Sequence, residues 1–172
     1  MKSKKEVPNS GMQLKGFFRV NIEEDGKIVG DSGWCENQVT NLGIQNYIAY
    51  ALLSNAASTP AINAAALGTT NAPASDGTTL PGEIMASTQR VSGTRLTTAF
   101  SSRSTSNGSA TAQWTFTFYS SASFLTGASN ISNIGLYNGS ATNATLLCGN
   151  TYTSSSCNTN QNVNCTYQIR IG

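Results

Sequence analysis

The sequence contains no histidine among its 172 residues. That removes the commonest general base, Ser-His-Asp and Cys-His catalysis, and every metal site built on imidazole. Charge is scarce as well: charged residues make up 10%, and 10 basic against 8 acidic side chains leave a formal +2. Such a balance gives no electrostatic footprint for nucleic acid. No apolar run is long enough to span a bilayer as a helix. The N-terminal lysines are followed by Glu6, Pro8 and Asn9 rather than by the apolar stretch of a secretory signal, so the chain is expected to be made in a cytoplasm. Glycine-rich phosphate loops are missing. Of the carboxylates, Glu23, Glu24, Asp25, Asp31 and Glu36 gather around an N-terminal hairpin, Asp76 and Glu83 fall in a long loop, and Glu6 lies in the tail. Hairpin carboxylates are ordinarily solvated, and no EF-hand spacing is present. The sequence therefore reads as a non-enzyme, with no catalytic residue, metal ligand or cofactor assigned.

Ser, Thr, Asn, Ala and Gly take the place of the missing charge. Hydrophobic residues amount to 38%, enough with regular aromatic strands for one folded domain. Uncharged polar surfaces can be buried between subunits without stranding an ionised group. A flexible arm is expected over residues 1–11 and a single domain over 12–172. Lys2, Lys4 and Lys5 form the only basic cluster, either a solvated end or an arm touching an acidic neighbour.

The patterning predicts a mainly β, antiparallel sandwich or related barrel. Leu14, Gly16, Phe18, Val20 and Ile22 alternate onto one face, and Asp25-Gly26 supplies a tight hairpin turn before Ile28 and Val29. One amphipathic helix is expected near residues 41–54: Ile44, Tyr47, Ile48, Ala51 and Leu52 form a stripe, with Thr40 or Asn41 as cap. Residues 61–68 read as a strand. The turn-rich segment from Thr69 to Glu83, with Asn71, Pro73, Asp76 and Pro81, reads as a long loop reaching a neighbouring subunit. Further strands place Leu96, Thr98 and Phe100 in alternation, then Trp114, Phe116 and Phe118 on one core face, with an Asn107-Gly108 turn between. Ile131 is out of step with Ile134 and Leu136, which predicts a bulge near Ser132-Asn133. A strand over 145–152 precedes a polar loop over 153–161. The last strand aligns Val163, Cys165, Tyr167, Ile169 and Ile171.

The cysteines, Cys35, Cys148, Cys157 and Cys165, are spaced too widely for CxxC chemistry. Cys165 sits in an apolar stripe as a small hydrophobe. A Cys148–Cys157 disulfide closing a hairpin, free buried thiols, and crosslinks between subunits all remain open.

Four segments in order resemble those of small virion proteins of tailed bacteriophages. Gly33-Trp34-Cys35-Glu36-Asn37-Gln38-Val39-Thr40-Asn41-Leu42-Gly43 is similar to their "E-N-x-[VI]-T-N-x-G" entry to a helix. Ala66-Leu67-Gly68-Thr69-Thr70-Asn71-Ala72-Pro73 resembles "A-L-G-T-G-x-x-A-P". Asn130-Ile131-Ser132-Asn133-Ile134-Gly135-Leu136-Tyr137-Asn138 resembles "I-x-E-I-G-L-F-N", with Asn133 where an acidic residue is common. The closing segment from Asn162 to Ile171 resembles "L-x-V-x-Y-x-I-x-F". The resemblance implies a tail, tail-fibre, neck or head-decoration protein of the virion. It implies assembly with copies of itself and other virion proteins, with no nucleic acid, membrane or cofactor. Two other readings are a carbohydrate- or receptor-binding module, using Trp34, Tyr119 or Tyr137, and a subunit of a cell-surface filament.

Overall fold

Strict alternation makes the first strand half-buried, and Ala110–Phe118 and Asn162–Ile171 repeat that pattern. The computed structural model describes residues 14–49, 62–84, 91–92, 94–100 and 110–172. The strands are β1 (Leu14–Glu24), β2 (Lys27–Asp31), β3 (Cys35–Val39), β4 (Ala64–Gly68), β5 (Val91–Ser92), β6 (Thr94–Phe100), β7 (Ala110–Phe118), β8 (Ser129–Tyr137), β9 (Leu146–Cys157) and β10 (Asn162–Ile171). They form one antiparallel sheet in the order β5-β4-β8-β9-β3-β1-β10-β7-β6, with β2 branching from β1.

Two features curl this sheet into a nearly closed barrel. Strand β3 divides its pairing: Cys35–Asn37 bond to β1, whereas Gln38 and Val39 bond to β9. The two ends of the order, β5 and β6, are consecutive in the chain. The expected antiparallel β fold is therefore present, in its barrel-like form.

Paired residues of antiparallel strands point to the same side, so register decides what shares the interior. Phe18 pairs with Tyr167, and Tyr167 with Trp114. All three are buried. Phe18 stacks on Tyr167 at 5.8 Å between ring centroids and meets Tyr152 edge-on at 6.0 Å. Val20, Ile22, Phe116, Phe118, Val163 and Cys165 continue this wall, and Ile131, Ile134, Leu136 and Leu147 face it from the other side. The expected irregularity beside Ser132-Asn133 is present as a register shift, with its extra residues on β9: Ile131 pairs with Ser155, but Asn133 pairs with Thr151. It brings the out-of-step Ile131 and Ile134 into the same core. At the β1–β2 turn Asp25 and Gly26 have φ of 49° and 75°, the left-handed pair that a tight hairpin demands.

Two expectations are corrected, and the expected helix is present over the described residues 41–49. It makes one α-turn, α1 (Asn41–Gly43), and then widens into π-type turns over Ile44–Ala49. Thr40 caps it as expected, its Oγ1 accepting from Gly43 N at 3.0 Å. Ile44, the first residue of the supposed buried stripe, is 48% exposed. The start of the helix is instead wedged against β9: a Cβ on Gly43 would lie 2.1 Å from the Leu147 carbonyl oxygen.

Strand β9 is longer than predicted, running on to Cys157, and the turn follows at 158–161. Cys148 and Cys157 thus lie on one strand rather than across a hairpin. At a rise of about 3.3 Å per residue their Cα atoms stand far beyond the ~7 Å that a disulfide tolerates. Cys157 is buried in the core, and all four cysteines are free thiols. The second correction concerns the long loop and is given with its geometry below. The N-terminal arm with Lys2, Lys4 and Lys5, the helix beyond residue 49 and the Asn107-Gly108 turn lie outside the described residues.

Burial pushes the Cys148 thiol up to about 12 and the Cys157 thiol up to about 11. Both should stay unreactive toward a thiol reagent in the native protein and react on unfolding. Titration in denaturant should recover all four thiols without reductant. A thiol count that rose only after reduction would contradict this arrangement.

Candidate interaction surfaces

The outward rows of β1, β10 and β7 make a broad polar sheet face. On β7 the row is Thr111, Gln113, Thr115 and Thr117; on β10 it is Asn164, Thr166 and Gln168; all are half-buried. The rows are knitted across the strands. Gln168 Nε2 donates to Gln113 Oε1 at 2.7 Å, and Thr117 Oγ1 donates to Asn164 Oδ1 at 2.8 Å. Asn164 Nδ2 in turn donates to Glu23 Oε2 at 2.8 Å. The charge of this face lies on β1, whose outward row includes Lys15, Arg19 and Glu23, and at Arg170 on β10. Arg170 lies 4.7 Å above the Phe17 ring and donates to Gln168. Arg19 grips Asp31 through both carboxylate oxygens, tying β2 to β1. The Arg19 hydrogen bond and the Gly33 N–H hold the Asp31 carboxyl at about 2.

The opposite wall of the barrel is covered on its outside as well. The segment of residues 69–83 folds back as an Ω-loop whose ends meet where Thr69 N donates to Gly82 O at 3.1 Å. It places Leu80 over Ala64, Ala66, Tyr137 and Leu146, a second small core. Asn133 anchors it from β8. This side chain is wholly buried, and its Nδ2 donates to Asn71 O at 2.8 Å and to Pro81 O at 2.9 Å. Two carbonyl partners fix the amide orientation, since the flipped amide would set oxygen against oxygen. Ser132 Oγ donates to Thr70 O at 2.9 Å. The Tyr137 hydroxyl accepts from Leu80 N at 2.7 Å and donates to Glu83 Oε2 at 2.9 Å. Asn41 N reaches Ser75 O at 2.7 Å, so the helix start is tied to the same loop.

This geometry corrects the view of the loop as an outstretched contact. Pro73 is buried, its ring against Gly149 on β9, and is no subunit contact. Pro81 is half-buried with its carbonyl committed to Asn133. Asn71 and Asp76 remain exposed at the loop surface. Leu80 and Asn133, which organise the site, stand out by no motif of their own; the only signal was the broken alternation beside Asn133.

The third surface is the β1–β2 hairpin. Ile28 and Val29 are each 56% exposed, and Val29 is the extra residue of a bulge opposite Ile22 and Glu23. Trp34, between β2 and β3, is 50% exposed, and Tyr119, just after β7, is 57% exposed. Strands β1 and β10 separate these two aromatics. Tyr137 is wholly buried and spends its hydroxyl inside the protein. Among the described residues no group of three or more Cys, Asp or Glu is placed to hold a metal ion.

Asn133→Ala should destabilise the protein by about 2–3 kcal/mol, because two loop carbonyls lose their buried donor. It should also open the loop to limited proteolysis between residues 69 and 83; an unchanged cleavage pattern would show that the loop is held by other contacts. The Asp31 pair predicts a pH dependence. A carboxyl lowered from 3.8 to about 2 contributes stability that is present above about pH 4 and lost as pH falls toward 2. The unfolding midpoint of Asp31→Asn should accordingly vary less than that of the parent chain across that window.

Comparison with protein-family models, with curated proteins and with solved structures finds no match to this chain.

Proposed function

We propose that this chain is a structural component of a tailed-bacteriophage virion, of head-decoration, neck or tail type, made in the host cytoplasm and acting by packing against copies of itself and other virion proteins. The observation that carries the reading is the outer face of β7 and β10. Its rows are uncharged from Thr111 to Thr117 and from Asn164 to Gln168 and are ordered by side-chain hydrogen bonds. Covering such a face needs no ionised group to be desolvated. The segments that resemble phage virion proteins add support. The first three converge on one place: Asn133 holds Asn71, and Asn41 holds Ser75, the latter two residues past the second segment. The chain has no histidine, and among the described residues no group of three or more Cys, Asp or Glu is placed to hold a metal ion, which is compatible with a role in packing.

Sedimentation of the full chain should show a homo-oligomer. Thr115 and Thr166 pair directly across β7 and β10, so Thr115→Lys with Thr166→Lys sets two like charges side by side on the face. The half-exposed lysines can reach water, so the fold should persist while the mass drops toward the monomer. An unaltered oligomer would move the interface elsewhere, and a parent chain that stays monomeric even at high concentration would sink the reading.

A second reading, a glycan- or receptor-binding module, is favoured by the exposure of Trp34 and Tyr119. Aromatic rings presented to solvent suit stacking against sugar rings. Glycan-array binding that disappears in Trp34→Ala would establish it; an array with no signal would remove it.

A further inference from the structure

The outer face of β7, β10 and β1 carries charges of opposite sign at its two ends. At one end Lys15 on β1 pairs directly with Arg170 on β10, and both are exposed. Like charges set opposite each other across two strands repel. Neither cation has a carboxylate partner: among the described residues the one ion pair joins Arg19 to Asp31. At the other end Glu23 faces the same side, pairs with Asn162 and accepts from Asn164 Nδ2 at 2.8 Å. Glu23 and Lys15 lie on one strand, eight residues apart. At a rise of about 3.3 Å per residue they stand about 26 Å from each other and cannot meet within one chain. The middle row is Arg19, Thr166 and Thr115, which pair in turn across the three strands. It carries no net charge, because Asp31 neutralises Arg19.

We propose that this face packs against the same face of a second copy, about a two-fold axis that runs along the middle row, between the two sheets and across their strands. The strands of the two copies then run antiparallel, and Lys15 and Arg170 of each copy lie over Glu23 of the other. This contact rests on the packing reading above and gives it a partner and a symmetry. The two-fold makes both ionic contacts at once. Turning one copy end for end would instead set the two cation pairs against each other. Packed sheets cross at about 30°, which shifts the ends of the face by about one strand spacing. Lys15 and Arg170 stand side by side, so a cation stays within reach of Glu23 after that shift. The face is four strand lanes wide, β7, β10, β1 and the line of β2 and β3, and nine residues long on β7. With lanes about 4.8 Å apart it covers about 570 Å² on each copy, about 1,100 Å² in all, enough for a specific interface at the small end of the range. The uncharged rows supply the area, and the charged ends supply the orientation.

A zero-length carboxylate–amine crosslinker applied to the full chain at low salt should join Lys15 to Glu23, a link that their separation permits only between copies. Lys15→Glu with Arg170→Glu changes exposed side chains alone and leaves acid at both ends of the face. Its association, followed by sedimentation, should be about ten-fold weaker at low salt, and the loss should shrink at high salt. Adding Glu23→Lys reverses the face and should restore association to the parent level. Glu23→Gln keeps an acceptor for Asn164 and so protects the fold; by itself it should weaken association about three-fold at low salt. An oligomer that yields no Lys15–Glu23 link, or one indifferent to the loss of charge at both ends, would overturn the two-fold contact while leaving packing through another surface intact. A parent chain that never associates would overturn both.

Discussion

The carboxamide of Asn133 is the interaction on which most of one wall depends. It is a neutral donor buried in β8 and aimed at two carbonyls of a loop that would otherwise have no reason to lie flat. Because the loop lies flat, Leu80 can seal Ala64, Ala66, Tyr137 and Leu146, and the outer face of β4, β8 and β9 becomes a second small core. An ionised carboxylate at this position would have no proton to offer either carbonyl and would itself be stranded away from water. The uncharged side chain suits the site for that reason, and the same economy of charge recurs over the whole molecule.

Closure is the second constraint. Strand β3 spends half its length on β1 and half on β9, so it turns the corner between the two walls. The turn demands that residues just after β3 leave the sheet at once. Thr40 makes that exit, capping Gly43 while its hydroxyl also contacts the Leu146 and Leu147 carbonyls at 3.0 and 2.9 Å. The helix start is thus a seam of the barrel, with Gly43 against β9 and Ile44 exposed beside it.

The two remaining surfaces differ in kind. The outer rows of β7 and β10 are uncharged and ordered by side-chain hydrogen bonds. The β1–β2 hairpin sets exposed Ile28 and Val29 close to Glu23, Glu24 and Asp25.

The sequence by itself determined the alternating strands β1, β7 and β10 with their inward faces, the β1–β2 turn and the irregularity beside Asn133. Period-two alternation and the Asp-Gly pair are local properties, read without knowing what lies across the sheet. It equally determined the absence of imidazole chemistry. Tertiary structure alone decided the rest, because each remaining question depends on residues far apart in the chain. The polar run after Tyr152 reads as loop, but pairing with β8 extends it as strand to Cys157, and that extension rules out the Cys148–Cys157 bond. The stripe from Ile44 reads as an amphipathic helix and helical turns are present over residues 41–49, but the seam with β9 sets that Gly43 is covered and Ile44 is not. The Pro- and Gly-rich segment reads as an outreaching arm, but the unpaired donors of Asn133, more than 50 positions away in sequence, draw it back onto the barrel.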